Sequence, residues 1–224
     1  LDAGAAERIL HVPVATALGG YTGRAGFISS AGSVDARAVE LSGTFNPSIG
    51  VTTAPRVKAL ALRAGGETVV VLKADIIFVY EGMVFDLEER LGAAFNGKVM
   101  IAVSHSHSGW AQFTAHGPLK LGAGQMRDLV YKRFLDDFEA VAREAIANLE
   151  PAKLGVFADS QFDMDDVINR DRRGDNDELP GGANKGDEHL FMIRVDRIDG
   201  TPIAMMPIFG EHGTLNDEDN PFAS

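Results

Sequence analysis

The sequence of 224 residues is long enough for one sizeable domain, and its hydrophobic fraction of 45% with 24% charged residues is that of a globular protein. Its 32 acidic and 21 basic side chains give a net charge of −11, which argues against double-stranded nucleic acid as a partner because such binding rests on Lys and Arg. The chain has no cysteine, so it forms no disulfide, and a zinc ion would have to be held by His, carboxylate or Tyr side chains.

The first half of the chain alternates between strand and helix patterns. Apolar and β-branched runs predict strands at Arg56–Leu62, Thr68–Leu72 and Val99–Val103. Between the last two, apolar residues recur at helical spacing over 84–95, and Asn96-Gly97 favours the end of a helix there.

The second half contains the clearest helix and a hairpin. An apolar stripe predicts a helix at Met126–Leu149, and a strand at Leu154–Phe157 follows it. Two further strands, His189–Val195 and Pro202–Phe209, flank an Asp199-Gly200 turn. The intervening residues 163–188 are rich in Asp, Gly and Asn and are expected to form a long solvated loop. This order predicts an α/β fold with a mixed β-sheet flanked by helices.

No transmembrane segment is visible in the sequence. The longest apolar stretch, Thr68–Tyr80, is interrupted by Lys73 and Asp75. The first residue is Leu1 and not Met, which indicates that a leader has been removed or that the sequence is an excerpt.

Two histidines follow the predicted strand Val99–Val103 almost directly. His105 and His107 are two positions apart, a spacing that points both imidazoles to one side of an extended chain, so that they could meet at one ion or one substrate group. The end of a strand is also where α/β sheets place ligand sites. The neighbouring serines and Gly109 are small and leave room for a ligand. The alternative is a serine- and histidine-rich turn without a metal.

Two more residues extend this candidate site. His212 follows another apolar strand and stands beside glycines, and a catalytic zinc commonly takes three protein ligands with one position open to water. Arg170 begins the acidic loop and could hold a carbonyl oxygen as that oxygen gains negative charge. The alternatives are a surface histidine and a salt-bridged loop arginine, and composition does not choose among Arg170, Arg172 and Arg173.

The segment Ser104–Gly109, which reads SHSHSG, resembles the THTHSG element of the neutral ceramidases. Other pieces follow in the order of that family. Ile168-Asn169-Arg170 resembles its INRS element, and 212–214 with Asp219–Ser224 resembles its His-Pro-Thr segment and the DNxGYAS stretch after it. The strand that ends at Asp75 also fits the family, and the resemblance spans about Thr53 to Ser224.

The resemblance implies a zinc-dependent amidase in which His105 and His212 bind Zn²⁺ while His107 and Arg170 contact the substrate amide and stabilise the oxyanion. A zinc-bound water would attack the carbonyl of an N-acyl amide and release a fatty acid and an amine, in keeping with the ability of zinc to acidify water. The site would lie at the C-terminal ends of strands. The resemblance also implies a sphingolipid-like substrate and a secreted or periplasmic location. It is compatible with contact between the protein and a membrane surface.

In that family the remaining zinc ligands, a Glu and a Tyr, lie beyond Ser224. Residues 1–224 would therefore be the N-terminal portion of a single catalytic domain, completed by the C-terminal remainder of the same protein or by a processed second chain. The family has other residues at the positions of Trp110, Asp171 and Gly213, which are expected to lie near the substrate. The identity of the substrate amide is therefore left open. Two other functions stay open: a non-catalytic relative that binds lipid or a partner, and an amidohydrolase acting on a non-lipid amide.

Overall fold

Strands dominate the secondary structure of the described residues, which in the computed structural model are 1–25, 41–163, 189–210 and 216–224. The strands are Asp2–Ile9 (β1), Gly50–Val51 (β2), Arg56–Ala64 (β3), Glu67–Ala74 (β4), Val99–Val103 (β5), Glu150–Asp159 (β6), Leu190–Arg197 (β7), Pro202–Ile208 (β8) and Phe222–Ala223 (β9). The α-helices are Glu81–Leu91 (α1), Lys120–Ala123 (α2) and Asp128–Ala147 (α3), and single 3-10 turns lie at Thr22–Arg24 and Ala93–Phe95.

The chain divides into two units, one formed by Gly4–Leu149 with Gly213–Ser224 and the other by Leu1–Ala3 with Glu150–His212. In the larger unit the strands are hydrogen-bonded in the order β5-β4-β3-β1, with β4 parallel to β5 and antiparallel to β3. In the smaller unit the first residues of β1 pair with β6, and the antiparallel order continues through β7 and β8. The prediction of an α/β fold with a mixed sheet is confirmed.

Helix α3 supplies most of the helical part of the core. Its apolar stripe is fully buried and comprises Val130, Phe134, Phe138, Val141 and Ala145. The Phe134 ring meets the Phe113 ring edge to face, with centroids 5.2 Å apart. At Gly4 of β1 a side chain would stand 2.3 Å from the Ala145 carbonyl oxygen, so this glycine allows β1 to approach the helix. The predicted helix is confirmed, with slightly shorter bounds.

Helix α1 ends earlier than the sequence predicts. Gly92 follows it with a φ of +105°, a conformation that favours glycine and stops the helix. The expected continuation to Phe95 forms a 3-10 turn instead. The buried Glu88 carboxylate accepts hydrogen bonds from the backbone N–H groups of Gly97 and Val99, at 2.9 and 3.4 Å. The end of α1 is thereby joined to the start of β5.

The predicted hairpin is confirmed in the smaller unit. Gly200 has a φ of +92° in the turn, and Asp199 accepts hydrogen bonds from the backbone N–H and hydroxyl of Thr201, at 2.9 and 2.7 Å. These hydrogen bonds lower the pKa of Asp199. Strand β6 is longer than predicted, because Pro151 lies within it and pairs with Asp2.

Each unit carries exposed apolar side chains on its sheet. In the larger unit α3 packs on β3 and β4, and strand alternation places Leu62, Val69, Val71 and Met100 on the opposite face, where Met100 is 63% exposed. In the smaller unit Leu154, Val156, Phe191 and Ile208 share a face of β6–β8 and are all exposed. Within the described residues no helix is both long and apolar enough to cross a membrane.

Candidate active site

His105 lies two residues beyond the end of β5 and adopts an uncommon backbone conformation. Its φ is +55°, in the left-handed region that few residues other than glycine occupy. The imidazole Nδ1 lies 2.6 Å from the carbonyl oxygen of Ile77, which can only accept a hydrogen bond. In the neutral imidazole the proton is therefore on Nδ1 and the lone pair is on Nε2. Histidines that bind metals are commonly oriented by a hydrogen bond of this kind.

The imidazoles of His105 and His107 meet at their Nε2 atoms. These two nitrogens are 3.4 Å apart, and the rings are nearly perpendicular with centroids 5.0 Å apart. The convergence expected from the sequence is therefore present. His105 has a positive φ, however, so the chain there is not extended as the spacing suggested.

The His107 ring is held by an N-terminal segment that the sequence did not indicate. Tyr21 contacts it edge to face, with ring centroids 4.6 Å apart. Gly20 has a φ of +95°, and a side chain there would stand 2.4 Å from the His107 ring. The double glycine at Gly19-Gly20 was the available signal, but nothing in the sequence connected it to a loop nearly ninety residues later.

The two imidazoles line a cavity of about 300 Å³ with otherwise small polar walls. The lining residues are Ser104, His105, Ser106, His107, Ser108, Asn216 and Ser224. The Asn216 amide donates hydrogen bonds to the hydroxyls of Ser108 and Ser224, at 3.1 and 3.0 Å. The walls of the cavity therefore carry side-chain hydroxyl and amide groups.

The C-terminal residues are interwoven with the loop that carries the two histidines. The Ser106 hydroxyl donates to the Ser224 carbonyl oxygen at 3.1 Å, and the Ser224 N–H donates to the Ser108 carbonyl oxygen at 3.0 Å. Strand β9 continues this attachment by pairing in parallel with β2. The sequence placed this stretch in a resembling motif but gave it no role in the site.

Two of the four predicted site residues, Arg170 and His212, lie outside the described residues. Among the residues that are described, no group of three or more His, Asp or Glu side chains is placed to hold a metal ion. The side chain of Trp110, which the resemblance places near the substrate, is only 1% exposed and packs in the hydrophobic core. The backbone of Trp110 forms an isolated antiparallel β-bridge with Leu18, which holds this residue in place after the histidine loop.

The donor atoms on this loop fit a zinc ion. Two nitrogen ligands at about 2.0–2.1 Å from a tetrahedral zinc stand roughly 3.3–3.4 Å apart, and the observed Nε2 separation is 3.4 Å. The Nε2 lone pair of His105 is thus suited to a metal. The Nε2 of His107 lies where it would touch either the same ion or a group bound to it.

Comparisons with known proteins bear on the fold. No protein-family model and no curated protein sequence matches the chain. Among solved structures, the chain is similar to neutral ceramidase from Pseudomonas aeruginosa, with a TM-score of 0.73 and 16% sequence identity over 100% of this chain and 34% of that one. It is also similar to a ceramidase complexed with C2, with a TM-score of 0.70 and 18% identity over 100% of this chain and 33% of that one.

The resemblance first drawn from short motifs is therefore matched by the three-dimensional structure of the whole chain. The chain spans about a third of the length of these solved structures. The solved structures that it resembles are ceramidases, and it has the fold of the part of neutral ceramidase that it covers.

Proposed function

We propose that this chain carries part of the active site of a zinc-dependent amidase that hydrolyses an N-acyl amide, ceramide or a related compound. The observation that supports this most directly is the meeting of the His105 and His107 Nε2 atoms, 3.4 Å apart, at the wall of a polar cavity. The fold of neutral ceramidase, a hydrolase, supports the same reaction class.

In this proposal His105 and His212 hold the zinc ion. His105 would bind through Nε2, because Nδ1 is engaged with the Ile77 carbonyl oxygen. When bound, zinc lowers the pKa of water towards neutrality and polarises a carbonyl group. The left-handed backbone at His105 supports a functional role, since such strain of order 1–3 kcal/mol persists mainly where surrounding structure enforces it.

His107 and Arg170 would act on the substrate. The Nε2 of His107 borders the cavity and could donate a hydrogen bond to the amide oxygen or exchange a proton with the departing amine. A positive charge at Arg170 would stabilise the same oxygen as negative charge develops on it. The hydroxyls of Ser108 and Ser224 leave polar groups available for the non-reacting part of the amide.

We further propose that polypeptide outside these residues completes the site, as the C-terminal remainder of the same protein or as a processed second chain. The similar solved chains are about three times longer. The exposed apolar side chains of Val69 and Met100 on the outer sheet face of the larger unit could be covered by such a segment. The ceramidase resemblance would also place the protein in a secreted or periplasmic location and near membrane surfaces, which fractionation of the source cells would test.

The test is metal content measured together with turnover in the complete protein. His105→Ala and His212→Ala should each lose zinc and activity together, because too few ligands remain. His107→Ala and Arg170→Ala should keep zinc near the level of the unaltered protein while kcat on an N-acyl amide falls about 10²–10³-fold, the cost of a lost oxyanion donor. His116→Ala, at an exposed position, is the matched control and should change neither quantity.

Each contrary outcome overturns a different part of the proposal. Stoichiometric zinc in both His105→Ala and His212→Ala would refute the ligand assignment. Loss of zinc in His107→Ala would make His107 a ligand, which the 3.4 Å separation also fits. Zinc without turnover of any amide would identify a non-catalytic relative, and turnover confined to non-lipid amides would identify an amidohydrolase-like enzyme.

A further inference from the structure

Arg24 is a buried arginine that binds main-chain oxygens from three parts of the chain. Its side chain donates to the carbonyl oxygens of Gly19 at 2.7 Å, His107, Asp217 at 3.1 Å, Glu218 at 3.2 Å and Asn220 at 3.4 Å. The residue is only 2% exposed. All five acceptors are backbone carbonyls, so these hydrogen bonds fix the course of the main chain and do not depend on the acceptor residues' side chains.

The charge of Arg24 is stabilised locally. Burial lowers the pKa of Arg24 to about 10, and interactions with Tyr21, Asp217 and Glu218 act in the opposite direction, so the guanidinium stays charged at neutral pH. Its Cζ lies 4.9 Å from the centroid of the Tyr21 ring, within range of a cation–π contact. Burying a charged guanidinium costs free energy of folding, which indicates that Arg24 has a specific role at this position.

Tyr21 connects the same two segments. Its ring contacts the His107 imidazole, and its hydroxyl donates to the Asn216 carbonyl oxygen at 2.8 Å. Tyr21 and Arg24 together therefore bind the histidine loop on one side and residues 216–220 on the other. In the sequence, residues 216–220 begin four positions after His212.

We propose that Arg24 is a positioning residue of this site, which sets His107 and residues 216–220 in register with each other. The inference rests on the proposed function. Arg24 contacts the backbone of His107 and not its imidazole, so it acts on the site through the placement of other residues. Lysine could not replace it, because an ammonium group has three donors on a flexible stem and no rigid fork.

The experiment compares Arg24→Lys with Arg127→Lys in the complete protein. Arg127 also donates to a backbone carbonyl, that of Leu41 at 2.9 Å, but it does not line the cavity. For Arg24→Lys we expect kcat to fall about 10- to 100-fold, in line with a small misplacement of a group at the reacting centre, while zinc content and KM stay within about twofold. Arg127→Lys should leave all three quantities near those of the unaltered protein.

A second set of measurements uses metal-free protein and needs no activity. In Arg24→Lys the ¹⁵N shifts of the His107 imidazole should move, and the Ser224 amide, which donates to Ser108, should exchange faster with solvent while α3 stays protected. Tyr21→Phe is a milder variant that keeps the ring on His107 and loses the bond to Asn216. It should shift the same signals by a smaller amount.

The outcomes separate the two proposals. If the shifts and exchange change as expected but no amide is hydrolysed by the unaltered protein, Arg24 still positions the loop and the proposed reaction is wrong. If Arg24→Lys folds and leaves the His107 shifts, the exchange rate of the Ser224 amide and kcat unchanged, where a loss in kcat of about 10-fold or more is expected, the positioning role is overturned. If Arg24→Lys does not fold, Arg24→Gln, whose side-chain amide keeps two N–H donors without the charge, is measured in its place, and unchanged His107 and Ser224 signals in that variant overturn the role.

Discussion

At the scale of single residues, the space beside His107 is set by the absence of a side chain at Gly20. A Cβ at Gly20 would stand 2.4 Å from the His107 ring, whereas at Gly66, whose φ of +85° is close to the +95° of Gly20, no atom lies within 4 Å. An alanine at either position costs roughly 1–2 kcal/mol in the left-handed conformation. Only Gly20→Ala would also displace the imidazole.

We therefore expect Gly20→Ala to lower kcat of the complete protein by at least about tenfold, in line with the effect of small misplacements near a reacting centre. Gly66→Ala should lose similar stability and keep its kcat. Thermal unfolding measured beside amide hydrolysis separates the two effects. Equal kcat in both variants would show that the His107 ring adjusts without consequence.

The residues of the site differ in how much of their role the sequence could indicate. His105 and His107 were identifiable because their chemistry and their place after a strand are local features. Arg24 and Tyr21 were not, since Arg24 meets His107 from 83 positions away and Tyr21 meets Asn216 from 195. A buried arginine on backbone carbonyls leaves no pattern along the chain, because carbonyls belong to every residue.

At the scale of elements, α1 and α3 are joined by a tyrosine pair. The Tyr131 hydroxyl donates to the Asp86 carboxylate at 2.5 Å, the Tyr80 hydroxyl donates to the Phe113 carbonyl oxygen at 3.1 Å, and the two tyrosine rings stack. Burial raises the pKa of Tyr131, and its hydrogen bonds to Asp86 and Tyr80 raise it further. Burial also raises the pKa of Tyr80.

The raised pKa values of Tyr80 and Tyr131 predict that the protein loses stability at alkaline pH. An unfolded tyrosine ionises at about pH 10, so the contribution of both side chains is complete below that pH and is lost as the pH rises through their higher folded pKa values. The free energy of unfolding should fall above about pH 10 in the native protein and fall less steeply in Tyr131→Phe. Denaturant titrations between pH 8 and 11 would measure this, and equal slopes in the two proteins would contradict it.

The elements that the sequence predicted are those with their own periodic or β-branched signal, such as α3 and β5. Strand β1 was missed because residues 2–9, DAGAAERI, contain mostly small side chains and only one β-branched residue. Its strand conformation comes from its partners, and the same holds for the two-residue pair β2 and β9. Propensity along the chain does not encode pairings of this kind.

At the scale of the whole molecule, the apolar outer face of the larger unit predicts dependence on further polypeptide. A parallel strand pair such as β4 and β5 is normally covered on both faces. Residues 1–224 expressed alone should therefore bind a hydrophobic dye and show no amide hydrolysis. Full activity of this isolated segment would contradict the proposed completion of the site.

Two substitutions in the complete protein, Met100→Lys and Phe85→Lys, test whether the outer sheet face is covered by further polypeptide. Met100→Lys places a charge on the outer sheet face and should lower activity and expose the dye-binding surface, because a charge buried beneath a covering segment is costly. Phe85→Lys, at an exposed position on α1, should have little effect. Similar behaviour of the two variants would show that the sheet face stays open to water.

The interweaving of the C-terminal segment with the histidine loop also fixes an order of events in folding. Ser106 meets Ser224 across 118 positions, and Arg24 meets Glu218 across 194. Contacts this distant must first overcome the entropy of closing long loops, whereas α1 and α3 form from neighbours. During synthesis the loop with His105 leaves the ribosome well before residues 216–224. The two histidines therefore lack the contacts with those residues until later. If the site binds zinc as proposed, the metal would then be bound late in folding, after residues 216–224 have docked on the histidine loop.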